Sequence, residues 1–413
     1  MSFRSVFIAV VIAFALILSA FLINRARPKA ETEQPGAEFV RASGKCAECH
    51  SRTQYSVVHE YEMSRHAQKS VSCLDCHQPA EGQEKKDHNG FVVTSGHLTA
   101  ANCRRCHEDI YQQFVRSRHA APAWAAVYGE KGLTPEQVNF SETYQPGGTR
   151  RAPNPFVRSE GGPAMASGCE QCHSVGKPNQ DGTIGTCTAC HTRHTSSVAI
   201  ARLPSTCGQC HLGPDHSQIE IYEESKHGVM FAAQEKLLNL NAEPKDLTTR
   251  DMFVPTCATC HMSGLNGLGV THDPSERLSY FLANAVTEKR PNYAGAQAKM
   301  KQVCEQCHTA SIVDPVYQRA EAVVQATNEK VTAAKAIVDG LRKDGVLTGP
   351  PFSNPIDFVY FDFWHYDGRT AKHGAFMGGA DFVQWHGNYP MLRKTAELKD
   401  LADNLRREHG GRK

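Results

Sequence analysis

The chain has 413 residues, with 45 Lys plus Arg against 43 Asp plus Glu and a formal net charge of +2. So even a balance leaves no electrostatic footprint for a polyanion, and nucleic acid is excluded as an expected partner. Apolar residues make up 40% of the chain, which is thin for a core of this length.

In chain order, the run Val6 to Ile23, "VFIAVVIAFALILSAFLI", is broken only by Ser19 and is long enough to span a bilayer. Residues 1–30 read as an N-terminal membrane anchor or signal segment. The uncleaved anchor is favoured because no small-x-small cleavage site follows. A short polar linker over 31–44 then leads into a cysteine-bearing region, 45–308.

All 16 cysteines fall in eight C-x-x-C-H units. They are Cys46, Cys49 and His50; Cys73, Cys76 and His77; Cys103, Cys106 and His107; Cys169, Cys172 and His173; Cys187, Cys190 and His191; Cys207, Cys210 and His211; Cys257, Cys260 and His261; and Cys304, Cys307 and His308. Disulfides, zinc or an iron-sulfur cluster would account for paired cysteines but not for the histidine behind every pair, since only 21 residues are histidine. The motif is the covalent attachment site of c-type haem, with its histidine as proximal iron ligand. Eight covalent haems are therefore expected, packed closely enough to form part of the core. Because c-type haem is attached outside the cytoplasm, the chain is placed on the periplasmic or extracytoplasmic face. This outweighs Arg25, Arg27 and Lys29 after the apolar run, which oppose the positive-inside tendency.

Within this region "YEMSRHA" (61–67), "FVRSRHA" (114–120) and "YEESKHG" (222–228) repeat an aromatic, a serine, a basic residue and a histidine. The pattern predicts a helix that returns a histidine to an iron. Residues 141–168, rich in Pro and Gly, read as a long irregular loop. Beyond His308 a helical C-terminal domain, 309–413, is expected. Tyr317, Ala320, Val324, Val331, Ala334 and Val338 recur at helical spacing, an aromatic stretch spans Phe358 to Tyr366, and a charged helix covers about Met391 to Arg407. No run alternates with period two, so the fold class is mainly α: a multihaem cytochrome c with packed haems and a C-terminal helical bundle.

Eight haems present sixteen axial positions, of which the motif histidines fill eight, leaving thirteen other histidines. An electron-transfer protein would close every iron, whereas an enzyme leaves one open. The count permits both. Behind His211, His216 sits beside Asp215 in "CGQCHLGPDHSQIEIYEESKHG", where Asp215 could equally cap a helix.

The stretches "CLDCH", "CEQCHSVGKPNQDGTIGTCTACHTRHTSS", "CGQCHLGPDHSQIEIYEESKHG", "THDPSERLSY" and "GAFMGGADFVQWHGNY" resemble the octahaem hydroxylamine oxidoreductases. The resemblance implies an oxidoreductase converting small inorganic nitrogen compounds (hydroxylamine, nitrite) at one open haem, that of Cys169, Cys172 and His173. It further implies Asp215 and His216 as the distal acid-base pair, and His59, His66, His88, His119, His194, His227 and His272 as candidate distal ligands of the other seven irons. A quinol-linked or soluble c-type cytochrome is the implied redox partner, and a homotrimer the implied assembly. His97, His365, His373, His386 and His409 are left without a haem, with channel lining and core packing both open for His365 and His373. Oxidative members of that family carry a tyrosine cross-linked to the catalytic haem. Where it is expected this chain has Phe376 and Phe382, with Tyr366 and Tyr389 nearest, so the reductive direction to ammonia is favoured. A non-catalytic electron-transfer cytochrome is the alternative. A reductase of another oxyanion is a third, although no C-x-x-C-K is present.

Overall fold

The computed structural model describes residues 18–19, 37–140 and 152–411. The expected anchor lies outside them apart from Leu18 and Ser19, and among the described residues no helix is long and apolar enough to cross a membrane. The chain forms two compact units, Met1–Cys73 and Leu74–Lys413.

In the first unit, helix α1 (Ala37–Thr53) bends at Gly44, whose φ of 67° is the left-handed value glycine adopts freely. Helices α2 (Tyr55–Glu62) and α3 (Arg65–Gln68) follow. The expected linker is thus helical from Ala37, because Ala, Glu and Arg are good helix formers.

The second unit is mainly helical, as the sequence pattern indicates. The one pair of strands among its described residues is a hairpin, β1 (Lys85–His88) against β2 (Phe91–Thr94), antiparallel with Lys85 opposite Thr94. Period two fails to reveal it because β1 is exposed on both faces. Its signal is the turn Asn89-Gly90, both at positive φ, the combination a tight hairpin requires. Of the presumed irregular loop, residues 141–151 lie outside the described set. The remainder corrects the expectation, forming two short helices, Phe156–Glu160 and Gly162–Ser167, with Pro155 and Pro163 at their starts.

The histidine repeat does not run as one helix. Helix α4 (Glu108–Arg116) ends at Ser117 before α5 (Ala121–Tyr128), and α6 (Gln218–Glu224) ends at Ser225 before α7 (Lys226–Gln234). Ser64 divides α2 from α3 in the same way. Ser64, Ser117 and Ser225 are all buried, and each accepts a backbone N–H two or three residues on: Ala67, His119 and Gly228. The repeated serine therefore bends the chain, and the histidine two residues later starts the new direction. The small residue closing the third repeat is explained too, since a Cβ on Gly228 would stand 1.9 Å from the Tyr222 carbonyl oxygen.

The C-terminal part contains α8 (Ala310–Lys343), α9 (Pro355–Asp362), a π-helical turn (Phe363–Gly368), α10 (Arg369–Met377) and α11 (Tyr389–Gly410). Val331, Val338 and Leu341 of α8 pack with Ile356, Phe363, Met391 and Leu398 in one continuous core. Each such side chain contributes roughly 1.5–3 kcal/mol. The cysteine-bearing region has only small clusters, such as Ala100, Tyr111 and Val115, or Leu247, Met252 and Leu265. That is the packing expected where flat cofactors fill the space between short elements.

Candidate haem and catalytic site

Several motifs form a single helical turn, among them Cys73–His77, Cys169–His173 and Cys257–His261. One turn sets residues i, i+3 and i+4 on a common face, so two sulfurs and an imidazole reach the same side. None of the sixteen cysteines is in a disulfide. Among the described residues no group of three or more His, Cys, Asp and Glu gathers as a bare-metal site. Zinc therefore has no cage here, while a porphyrin brings its own equatorial ligands.

The motif histidines are oriented for that role. His173 Nδ1–H donates to the Ala123 carbonyl at 2.6 Å, His261 to that of Pro274 at 3.1 Å, His211 to Gln218 Oε1 at 3.2 Å, and His50 to Gln54 Oε1 at 2.7 Å. Occupying Nδ1 fixes the tautomer and leaves Nε2 for iron. Burial keeps the imidazoles of His119, His261 and His272 neutral, lowering them to about 3, 4 and 4, and neutral imidazole is the metal-binding form.

Three expected distal histidines face motif histidines. His119 and His211 bring their Nε2 atoms to 3.5 Å, with ring centroids 5.7 Å apart. The His191–His272 and His227–His308 rings are 6.3 Å and 6.0 Å apart. Two imidazoles sharing an iron, each bonded at about 2 Å, need centroids roughly 6 Å apart, so the donor sets fit the cofactor. The motifs also touch in series. Sulfurs of Cys172 and Cys210, of Cys207 and Cys257, and of Cys103 and Cys187 lie within hydrogen-bonding reach. The Cys169 site is thereby joined to the Cys207 site.

Asp215 and His216 follow a turn at Gly213 (φ 82°), whose N–H donates to Glu220 Oε1 at 2.7 Å. The helix-cap alternative fails, because α6 starts at Gln218 behind Ser217 and Asp215 instead accepts from His216 Nδ1 at 2.7 Å. Thr370 of α10 pins the dipeptide from both sides, donating to the Pro214 carbonyl and bonding Ser217 Oγ, each at 3.2 Å. Burial raises the Asp215 carboxyl, but the hydrogen bond from His216 and the nearby His216, His365 and Arg369 outweigh it and hold the carboxylate below its ordinary range. The His216 ring stands 6.4 Å from that of His173 and 6.4 Å from that of His211, edge-on to both.

The sequence left His365 open, and the structure brings it to this pair, with Nδ1 4.0 Å from Asp215 Oδ2. Only an irregularity invisible to a 3.6-residue count, the π-helical turn, puts it there. Tyr366 lies close enough for Asp215 to act on its phenol, which burial and Asp362 also raise. Phe376 instead packs on Tyr280 and Tyr317, Phe382 stacks on His386, and Tyr389 is exposed beside Trp385. Of the remaining candidates, His59 stacks on Tyr55 within α2, His66 lies on α3, and His88 ends the exposed strand β1. His194 has φ 64° in a loop where Thr192 and Ser196 are also left-handed, a strained path that surrounding contacts must impose.

The family described as "Seven times multi-haem cytochrome CxxCH" matches residues 69–355. Seven motifs, from Cys73 to Cys304, fall in that range, and the Cys46 motif precedes it. A "Probable nitrite reductase-hydroxylamine oxidoreductase fusion protein" of Kuenenia stuttgartiensis is 25% identical over 383 residues, 84% of this chain and 43% of that protein. The chain thus spans less than half the length of this curated relative. Among solved structures, a "Hypothetical multiheme protein" superposes with a TM-score of 0.75 at 20% identity, covering 92% of this chain and all of that one. A chain of the Kuenenia stuttgartiensis reducing HAO-like protein complex gives a TM-score of 0.67 at 20% identity, covering 90% of this chain and 87% of the other.

Proposed function

As the chain belongs to the seven-times multihaem cytochrome CxxCH family, we propose that it is an extracytoplasmic oxidoreductase with eight covalent haems, acting on hydroxylamine or nitrite at the haem of Cys169, Cys172 and His173. The observation that carries this reading is the Asp215–His216 pair, joined at 2.7 Å and held beside His173. When bound, the haem supplies an iron with one free coordination position and a connection to its redox neighbours.

The chain's own residues do the rest. Reduction of nitrogen oxides takes up protons with every electron pair, and His216 is the side chain suited to deliver them near neutral pH. Asp215 stays ionised and holds the His216 ring through Nδ1–H, leaving Nε2 for proton delivery. Phe156, Phe352 and Phe361 form an aromatic cluster, with centroids 4.5 Å and 5.2 Å apart, that adjoins His365 through Phe361. His59, His66, His88, His119, His194, His227 and His272 would hold the other haems from their second side. The expected electron donor is a quinol-linked or soluble c-type cytochrome, and the absence of tyrosine at 376 and 382 supports the reductive direction.

The second reading, a pure electron-transfer cytochrome, draws on the 6.4 Å spacing of the His216 and His173 rings, which would also suit two ligands of one iron. Against it, His216 is equidistant from two motif histidines, while each of the other pairs faces one partner. Haemochrome quantitation and electron paramagnetic resonance of the ferric protein separate the readings. A single high-spin site and consumption of hydroxylamine or nitrite with a reduced dye are expected. An entirely low-spin protein that binds neither nitrite nor cyanide refutes the enzyme.

A further inference from the structure

Besides His216, a second histidine outside the expected ligand set, His365, comes within 4.0 Å of Asp215. Its surroundings are not those of a packing residue. The side chain is 15% exposed, and Nδ1 is buried without a hydrogen-bond partner. Packing alone would favour an apolar side chain over a buried polar atom left unsatisfied.

Three separate devices aim it. The π-helical turn Phe363–Gly368 adds a residue to the helix, letting Phe363 enter the core while His365 turns toward Asp215. Phe361 stacks on the imidazole at 4.2 Å and 20°, and Trp364 and Tyr366 meet it edge-on at 4.9 Å and 5.4 Å. Behind Phe361 stands Phe352, held at φ 65°, a left-handed conformation that is an outlier for a bulky residue. Strain of this kind persists only where surrounding contacts enforce it, and here it completes the wall that fixes the imidazole. Burial first, and then Arg369, keep His365 neutral, lowered to about 3 against the opposing pull of Asp215, so that Nδ1 can carry a proton without charge.

We infer that His365 is a positioning residue for the proton-delivering pair: its Nδ1, 4.0 Å from Asp215 Oδ2 and so too far for a direct hydrogen bond, turns an N–H dipole toward the carboxylate and favours the orientation that holds the His216 ring. This rests on the reading of the Cys169 haem as open. Asp215 already accepts from His216 at 2.7 Å. The His365 N–H dipole near that same oxygen raises the cost of rotating the carboxylate away, and His216 keeps one orientation through repeated proton deliveries.

The test uses the full haem-loaded protein, reduced and exposed to carbon monoxide. The C–O stretching band at an open iron reports how steadily a distal donor is held, independently of turnover. His365→Leu removes the donor but keeps bulk, whereas His365→Gln retains an N–H within reach. In His365→Leu the band is expected to broaden and shift, and kcat for hydroxylamine to fall about tenfold to a hundredfold at unchanged KM. His365→Gln is expected to restore a narrow band and most of kcat. If both variants lose haem, Phe361→Leu leaves His365 in place without its stacking face and should broaden the band by itself. An unchanged band with unchanged kcat overturns the inference, as does a raised KM at constant kcat, which marks channel lining. A wild-type protein that binds no carbon monoxide removes the open haem and the inference together, a result distinct from a wild type that binds it and variants that behave alike.

Discussion

Replacing Asp215 with Asn tests the proton-delivery reading most directly, because the side chain keeps its shape and loses only its charge. In the folded protein Asp215 accepts a 2.7 Å hydrogen bond from His216, with the two side chains 28% and 35% exposed. A hydrogen bond to a charged group contributes about 1.5–3 kcal/mol, and partial exposure to solvent lowers that to about 1–2 kcal/mol. If the pair acts when His216 is protonated, that loss falls on the transition state and slows turnover about 5- to 30-fold. His216→Ala, which removes the proton donor itself, is expected to cost about a hundredfold or more. The assay is consumption of hydroxylamine with a reduced dye, with haem counted by the haemochrome method and low-spin signals by paramagnetic resonance. Equal turnover in Asp215→Asn and wild type refutes the reasoning. So does loss of a low-spin signal in His216→Ala, which would make His216 an axial ligand.

His119→Met should keep every covalent haem but alter one low-spin signal, that of the Cys207 site, and slow electron delivery to the Cys169 site; unchanged spectra contradict the His119–His211 pairing. Leu398→Ala, in the C-terminal core, should cost about 2–5 kcal/mol and lower Tm with haem content intact, as read by thermal denaturation. His373 is buried, and that burial, with Lys372 and Arg369, lowers it to about 3. Below about 6.5 the unfolded chain therefore binds a proton that the folded one refuses, so stability is full above that pH and declines as pH falls toward 3. His373→Gln should flatten this decline in melting curves of the haem-loaded protein, and an unaltered pH dependence would show that another group governs it.

The haem motifs were legible because covalent chemistry demands a fixed local spacing, and α8 because its apolar residues recur at helical period, five of the six expected positions being buried. His216 could be singled out by its neighbour Asp215. The serine bends were not legible as bends, since a serine within a helical pattern is common and only burial reveals that Ser64, Ser117 and Ser225 turn the chain. His365 escaped for a different reason: its approach to Asp215 depends on a π turn and on a strained Phe352 thirteen residues earlier, neither of which leaves a periodic trace. The Asn89-Gly90 hairpin could have been found, had turn chemistry been weighed above alternation.

The grip of Thr370 on residues 214–217 has a consequence for maturation. Synthesis proceeds from the N-terminus, so the cysteine pairs emerge first, in a region with only small apolar clusters among its described residues. The helices that build the one large core emerge last, and their contacts are local enough for rapid collapse. Thr370 belongs to that late part, while Asp215 and His216 belong to the early part. The Asp215–His216 turn is therefore clamped only when the final hundred or so residues dock. On the proposed function, a haem-bearing chain whose C-terminal part has not docked would carry electrons without a fixed proton donor, so the two abilities mature in that order.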